Sequence, residues 1–202
     1  MSRAWKAKDV AVCDTPAVAR RLIGAVLAVR RADGRIERRR IVETEAYDGP
    51  LDRACHASRG RTARTATMFG PPLHWYVYLC YGMHEMLNLV TGPVDYPAAV
   101  LIRGVEGAIG PGRLTRALGI DRRFNGQPAG RATGLWIEDG PVAPEGSAIV
   151  AGPRVGIDYA GAEWAEKPWR FQWTPPASPP MSAGVRSPAA GSRPKSRSPC
   201  RP

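Results

Sequence analysis

Lysine is scarce in this 202-residue chain and stands only at positions 6, 8, 167 and 195. Cysteine is scarce too: four residues, at 13, 55, 80 and 200, with no C-x-x-C pair and no framework spacing. That pattern excludes a disulfide scaffold and a thiolate zinc site. There is no N-terminal apolar stretch of the signal type and no run of about 18 apolar residues, so neither a signal peptide nor a membrane span is expected. The expectation is an intracellular protein, cytoplasmic or nucleoid-associated if bacterial. No internal repeat is evident. The Gly-rich stretches around 104–112 and 126–134 match neither a P-loop nor a dinucleotide fingerprint. His84-Glu85-Met86-Leu87-Asn88 falls one residue short of the H-E-x-x-H zinc helix, because Asn88 replaces the second His and the flanking pattern alternates like a strand. Neither metal nor cofactor is expected.

What is present in excess is arginine. Hydrophobic residues at 44% and charged residues at 23% are ordinary for a globular chain, but a formal charge of +11 and a pI near 10.2 are not. A polyanionic partner follows, nucleic acid first and an anionic membrane surface second. A GC-rich genome would give the same Arg bias, and composition does not separate the two. From Pro175 onward 28 residues hold eight Pro, six Ser, five Lys or Arg and no acid. Such a segment buries too little apolar area to offset its ordering entropy, so 175–202 reads as a disordered tail. Without it, residues 1–174 hold 24 basic against 18 acidic residues, a net of +6.

Residues 1–9 read as a loose basic arm. Asp14-Thr15-Pro16 is a helix start, a capping side chain followed by Pro in the first turn, and Gly24 is the stop. Strands are expected over 25–31 and 36–47 around an Ala32-Asp33-Gly34 turn. Two more, over 75–79 and 85–91, form a hairpin through Tyr81-Gly82-Met83, and another covers 98–104. Pro111 to Leu118, closed by Gly119, is a short helix. Short strands follow at 135–138, 147–151 and 169–173. Between them 52–67 is a long, Arg-rich loop, a length more often functional than idle.

Two strings stand out. In Ile41-Val42-Glu43-Thr44-Glu45-Ala46-Tyr47, period-two alternation sets Ile41, Glu43, Glu45 and Tyr47 on one face and Val42, Thr44 and Ala46 on the other. Trp75-Tyr76-Val77-Tyr78-Leu79-Cys80-Tyr81-Gly82-Met83 is an aromatic strand ending in a Gly turn. A carboxylate beside several aromatic rings in a basic chain suits an enzyme that stacks a flat ring and does acid–base work on it. Singly, each residue is ordinary: a lone strand Glu is usually a solvated face, and Tyr76 reads as core.

Together these strings, with Met68–Pro72, Asn88, Val100–Arg103, Gly110-Pro111-Gly112-Arg113-Leu114, Arg154–Gly156 and Lys167-Pro168, resemble the alkyladenine (3-methyladenine) DNA glycosylases over residues 10–173. The resemblance implies a single α+β domain over 10–174, with a curved, largely antiparallel sheet, a projecting β-hairpin and a few helices. It implies an enzyme that acts on double-stranded DNA, flips damaged purines (3-methyladenine, 7-methylguanine, hypoxanthine, ethenoadenine) out of the duplex, and hydrolyses the N-glycosidic bond; a monomer is expected. Glu45 would be the general base, with Arg103 fixing the water and the backbone near Val155 assisting. Tyr47, His56, Tyr78, Asn88 and Leu101 would form the base pocket, Tyr81 the wedge left in the duplex, and Arg59, Arg61, Arg64 and Arg113 the phosphate contacts. The family's Thr-Pro-Arg-Asn is Thr62-Ala63-Arg64-Thr65 here. With no Lys beside these motifs, a monofunctional enzyme without lyase activity is expected. The competing expectation is a nucleic-acid-binding protein that senses lesions without cutting, or an RNA-associated protein; neither has a use for Glu45.

Overall fold

The computed structural model describes residues 2–11, 14–141 and 147–174; the segment 175–202 lies outside the described residues. Asp14 caps the first helix, α1 (Thr15–Leu22), by accepting the Ala17 N–H at 2.9 Å. The helix buries Val18, Ala19 and Leu22. The strands are β1 (Val26–Arg30), β2 (Ile36–Asp48), β3 (Trp75–Cys80), β4 (His84–Val90), β5 (Ala98–Val105), β6 (Ala108–Ile109), β7 (Leu135–Glu138), β8 (Ala148–Gly152) and β9 (Arg170–Thr174). Two further helices are α2 (Pro111–Leu118) and the single turn α3 (Ala162–Ala165). The strands pair antiparallel in one open sheet of order β3-β4-β5-β2-β1-β7; β6 adds to β5, β9 to β2, and β8 to β9. This is an α+β domain, as the resemblance implies.

The long β2 organises the sheet because its two halves serve different neighbours. Ile36 to Arg40 pair with β1, while the stretch from Ile41 to Asp48 pairs with β5 and, over Glu43 to Glu45, with β9. The first half is largely exposed and charged; residues 41–46 are buried on both faces. On one face Trp75, Val77, Leu87, Leu89, Val100, Ile102 and Ala46 meet α1 and α2 in the main core. The Thr44 hydroxyl on that face donates to the Ala19 carbonyl of α1 at 2.9 Å. On the other face Tyr76, Val90 and Ala99 pack under the 52–69 loop with Cys55, Ala57 and Met68. That loop is organised by two 3-10 turns, His56–Arg59 and Ala66–Phe69.

Two details differ from the sequence reading. Ile41 does not share the face of Glu43, Glu45 and Tyr47; it lies in the main core with Ala46. The cause is a pair of register shifts. Against β5, Ile41 faces Val105 and Glu43 faces Gly104, so Val42 is an extra residue; Thr44 then faces Ile102, so Arg103 is an extra residue on β5. A bulge breaks period-two alternation, which strand periodicity cannot foresee. The N-terminal segment is also docked rather than loose. Trp5 is buried, its N–H donates to Ile137 O at 2.9 Å, and Arg3 bonds Asp9 and Asp139. A Trp ring and two carboxylate partners outweigh the segment's polar composition.

No helix of the described residues is long and apolar enough to cross a membrane, and among them no cluster of three or more His, Cys, Asp or Glu side chains could hold a metal ion.

Candidate active site

Cross-strand register builds the site. Tyr76 on β3 faces Asn88 on β4, Asn88 faces Leu101 on β5, Leu101 faces Glu45 on β2, and Glu45 faces Arg170 on β9. Directly opposed residues in a sheet project from the same face, so this row lies on the face turned away from the main core. Tyr47 and Ala99 flank it on one side, Tyr78 and Met86 on the other. Above the row is a cavity of about 550 Å³ lined by Tyr47, His56, Tyr78, Asn88, Leu101 and Arg103, among others. That volume lies in the range of small-molecule sites and leaves room for a purine together with its sugar.

Glu45 sits behind the wall of this cavity, with 0% of its surface exposed. One carboxylate oxygen accepts the Val155 N–H at 2.8 Å; the other accepts the Tyr47 hydroxyl at 3.0 Å and Arg103 Nη1 at 3.4 Å. All three partners line the cavity. Burial holds the Glu45 pKa above its ordinary value of 4.5, against the opposing pull of Arg103, the Val155 N–H and Tyr47. Arg103 owes its aim to the bulge that makes it the extra residue of β5. Its Nε donates to Glu43 at 3.0 Å, and Arg170 Nε reaches the same Glu43 oxygen at 2.7 Å. Gly104, opposite Glu43, leaves the room for this: a Cβ there would stand 3.3 Å from the Glu43 Cβ. Glu43 thus orients Arg103, a role readable in sequence only as a second acid two residues before Glu45.

The aromatic wall is tightly coupled. The Tyr78 ring lies 5.2 Å from Tyr76 and 4.7 Å, edge-on, from His56. The Tyr76 hydroxyl is 3.2 Å from His56 Nδ1. Tyr76 is buried, as expected for a core residue, yet its hydroxyl reaches the cavity wall and holds the imidazole; sequence alone offers no signal for that. Burial of the imidazole against the aromatic wall, and secondarily the charge of Arg64, lower the His56 pKa to about 4, although the residue as a whole is exposed. His56 is therefore neutral at pH 7. Asn88 Nδ2 donates to the Tyr76 and Met86 carbonyls at 3.1 and 3.2 Å, which fixes the amide plane.

Tyr47 is supported from behind by a buried ion pair that the sequence reading did not pick out. Asp52 and Arg154, both with side chains 0% exposed, bond through two N–H···O contacts of 2.5 and 2.9 Å. The Arg154 guanidinium lies 4.9 Å from the Tyr47 ring centroid and 5.0 Å from that of Trp169. Asp52 also accepts the Ala54 and Asp48 N–H groups, so the same pair anchors the start of the 52–69 loop. The Thr65 hydroxyl accepts the Thr62 N–H at 2.8 Å and donates to Gly60 O at 3.1 Å, closing the loop locally.

Tyr81 stands at the tip of the β3–β4 hairpin, 88% exposed, with Met83 beside it. The turn needs positive φ at both central residues: Gly82 has φ +71° and Tyr81 itself +49°. For a bulky residue that is a strained conformation, a state that persists mainly at functional sites.

The predicted phosphate contacts divide. Arg61 pairs with Asp95 at 2.5 Å and covers the Phe69 ring, so its charge is compensated. Arg59, at the end of its 3-10 turn, and Arg113 on α2 are exposed and form no ion pair among the described residues; Arg116, one turn beyond Arg113, is similar. Arg64 forms no ion pair either, but lines the cavity with its guanidinium 4.9 Å from the Tyr78 ring centroid. Most arginines of the opposite end are spent internally, as with Arg38 and Arg131 on Glu138, and Arg31 and Arg39 on Glu37.

Comparison with known proteins places this arrangement. A family described as methylpurine-DNA glycosylase matches residues 9–109 and 107–175. A protein of Anaeromyxobacter dehalogenans (strain 2CP-1) is 51% identical over 166 residues, 78% of this chain and 77% of its own. One of Methanocella arvoryzae is 48% identical over 174 residues, covering 76% and 84%, and one of Psychrobacter cryohalolentis 41% identical over 201 residues, covering 84% and 90%. Each of the three carries the name "Putative 3-methyladenine DNA glycosylase". The chain belongs to the methylpurine-DNA glycosylase family.

Proposed function

We propose that the protein is a DNA-repair glycosylase that extrudes damaged purines from duplex DNA and releases them by hydrolysis, acting as a monomer without metal or cofactor. Family membership and the names of the relatives support the glycosylase activity and the DNA substrate. The observation that carries the mechanism is Glu45: a buried carboxylate pinned by three groups that all face an aromatic-walled cavity with room for a purine and its sugar. A lesion-binding protein without catalysis would keep the tyrosines and the basic surface, but would have no reason to bury an acid in this position.

A base stacked in a duplex is out of reach, so the nucleotide swings out at a cost of a few kcal/mol. Tyr81 enters the vacated space as a wedge. The extruded base stacks between Tyr47 and Tyr78, each such contact contributing about 1–3 kcal/mol. Arg103 and the Val155 backbone hold a water beside Glu45. As the C1′–N bond breaks, its electron pair leaves with the base. The water oxygen bonds to C1′, and its proton passes to Glu45. The anionic carboxylate also offsets the positive charge developing on the sugar. A neutral His56 presents a hydrogen bond to the base or its backbone without adding charge, and Asn88 crowds the exocyclic amine of an undamaged guanine. Exposed, unpaired Arg59 and Arg113 meet the phosphates, which makes binding fall steeply with salt.

Incubating duplex DNA containing hypoxanthine or 3-methyladenine with the protein, then treating with alkali, is expected to break the strand at the lesion. Without alkali the strand stays intact, because among the described residues no Lys lines the cavity to form a Schiff base. Absence of base release from every alkylated or deaminated purine would overturn the proposal.

Tyr81→Ala is expected to weaken binding to lesion-containing duplex by about tenfold or more, the loss of one stacking contact. Tyr81→Gly is expected to weaken it equally while raising the unfolding midpoint, because Gly adopts the turn's positive φ without strain. An unaltered affinity in both variants would remove the wedge role.

A further inference from the structure

We propose that Arg64 is a specificity residue of the base cavity, one that reads the acceptor edge of neutral 6-oxopurines and selects against cationic methylated purines. The proposal rests on the glycosylase reading above and deepens it.

Three contacts tie Arg64 to the wall on which a base would stack. It lines the cavity, its guanidinium sits 4.9 Å from the Tyr78 centroid, and it hydrogen-bonds the Tyr76 hydroxyl. The other charges around the cavity cancel. Glu43 and Glu45 are matched by Arg103 and Arg170, and Asp52 by Arg154. His56 is neutral at pH 7, and Arg64 has no carboxylate partner among the described residues. The cavity therefore carries one uncompensated positive charge, borne by a planar fork with five N–H donors.

A guanidinium in that position matches a purine presenting both O6 and N7 acceptors, the pairing by which Arg recognises such an edge elsewhere. Hypoxanthine offers both. In 7-methylguanine the methyl group removes the N7 acceptor and leaves the ring cationic, so the same fork loses a bond and meets a like charge. Aromatic stacking on Tyr47 and Tyr78 favours the cationic ring; the fixed charge of Arg64, a solvent-exposed residue that lines the cavity, opposes that preference at close range.

The test is single-turnover excision of hypoxanthine and of 7-methylguanine from one duplex sequence by the full chain and by Arg64→Gln and Arg64→Lys. Arg64→Gln is expected to lower the hypoxanthine-to-7-methylguanine rate ratio by about tenfold, the lower end of what a bidentate edge contact contributes. Arg64→Lys keeps the charge but not the fork and is expected to fall between. If both substrates lose rate by the same factor, with a shallower salt dependence, Arg64 is a phosphate contact and the inference is overturned. If the wild-type chain releases neither base, it is the glycosylase reading that fails, a result distinct from an unchanged ratio.

Discussion

Replacing Glu45 by Gln is expected to lower the single-turnover excision rate by about 10²–10⁴-fold, the usual contribution of a positioned acid–base group. Lesion binding should persist, because Glu45 is fully buried behind the cavity wall and is reached from the cavity through Tyr47, Arg103 and Val155. Full activity in this variant would remove Glu45 from its role. The pH dependence carries the same information. Burial raises the Glu45 pKa, so in the wild type excision should fall on acidification through a limb lying above that of an ordinary glutamate, and the residual rate of Glu45→Gln should lack this limb. Stability should move the opposite way. Because the folded state holds the Glu45 proton more tightly than the unfolded chain does, stability is lost as pH rises from the unfolded pKa through the folded one. At pH 7 the buried carboxylate is therefore a cost. Glu45→Gln should melt at or above the wild-type midpoint there, with the gap closing as the pH falls below both values. A lower midpoint for the variant at pH 7 would contradict the assigned direction.

Asp52→Ala is expected to have the largest effect on stability. It leaves the Arg154 guanidinium charged and unpaired in a fully buried site, a loss of about 3–5 kcal/mol. In a domain of this size that is on the order of 10 °C in the unfolding midpoint. Excision should fall as well, because the pair supports the Tyr47 ring from behind and holds the start of the 52–69 loop. The double variant Asp52→Ala, Arg154→Met should recover much of the stability, since removing both charges also removes the unpaired one. An Asp52→Ala midpoint within a degree or two of wild type would show that the pair is solvated.

The periodicity of residues 36–47 announced a strand with an acidic and aromatic face, and the helix signals at Asp14-Thr15-Pro16 and at Pro111 to Gly119 are found where their capping chemistry puts them. Those elements depend on local backbone preferences, which are written in a few neighbouring residues. The face of Ile41 was not legible, because a bulge arises from how two strands meet and not from either one alone. Nor was the pairing of Asp52 with Arg154, 102 positions apart in the chain.

The residues proposed to carry the chemistry are thus set by the sequence: Glu45, Tyr47, Tyr78, Asn88 and Arg103 are recognisable by type, spacing and resemblance. Their arrangement is a matter of tertiary structure. Cross-strand register puts Tyr76, Asn88, Leu101 and Glu45 in one row, and a bulge turns Arg103 toward two acids. The same holds for charge. Composition counts arginines, but only packing decides that Arg61 meets Asp95 while Arg64 lines the cavity over the Tyr78 ring, with no carboxylate partner among the described residues. Electrostatic energy depends on distance and desolvation, and neither exists until the chain has folded.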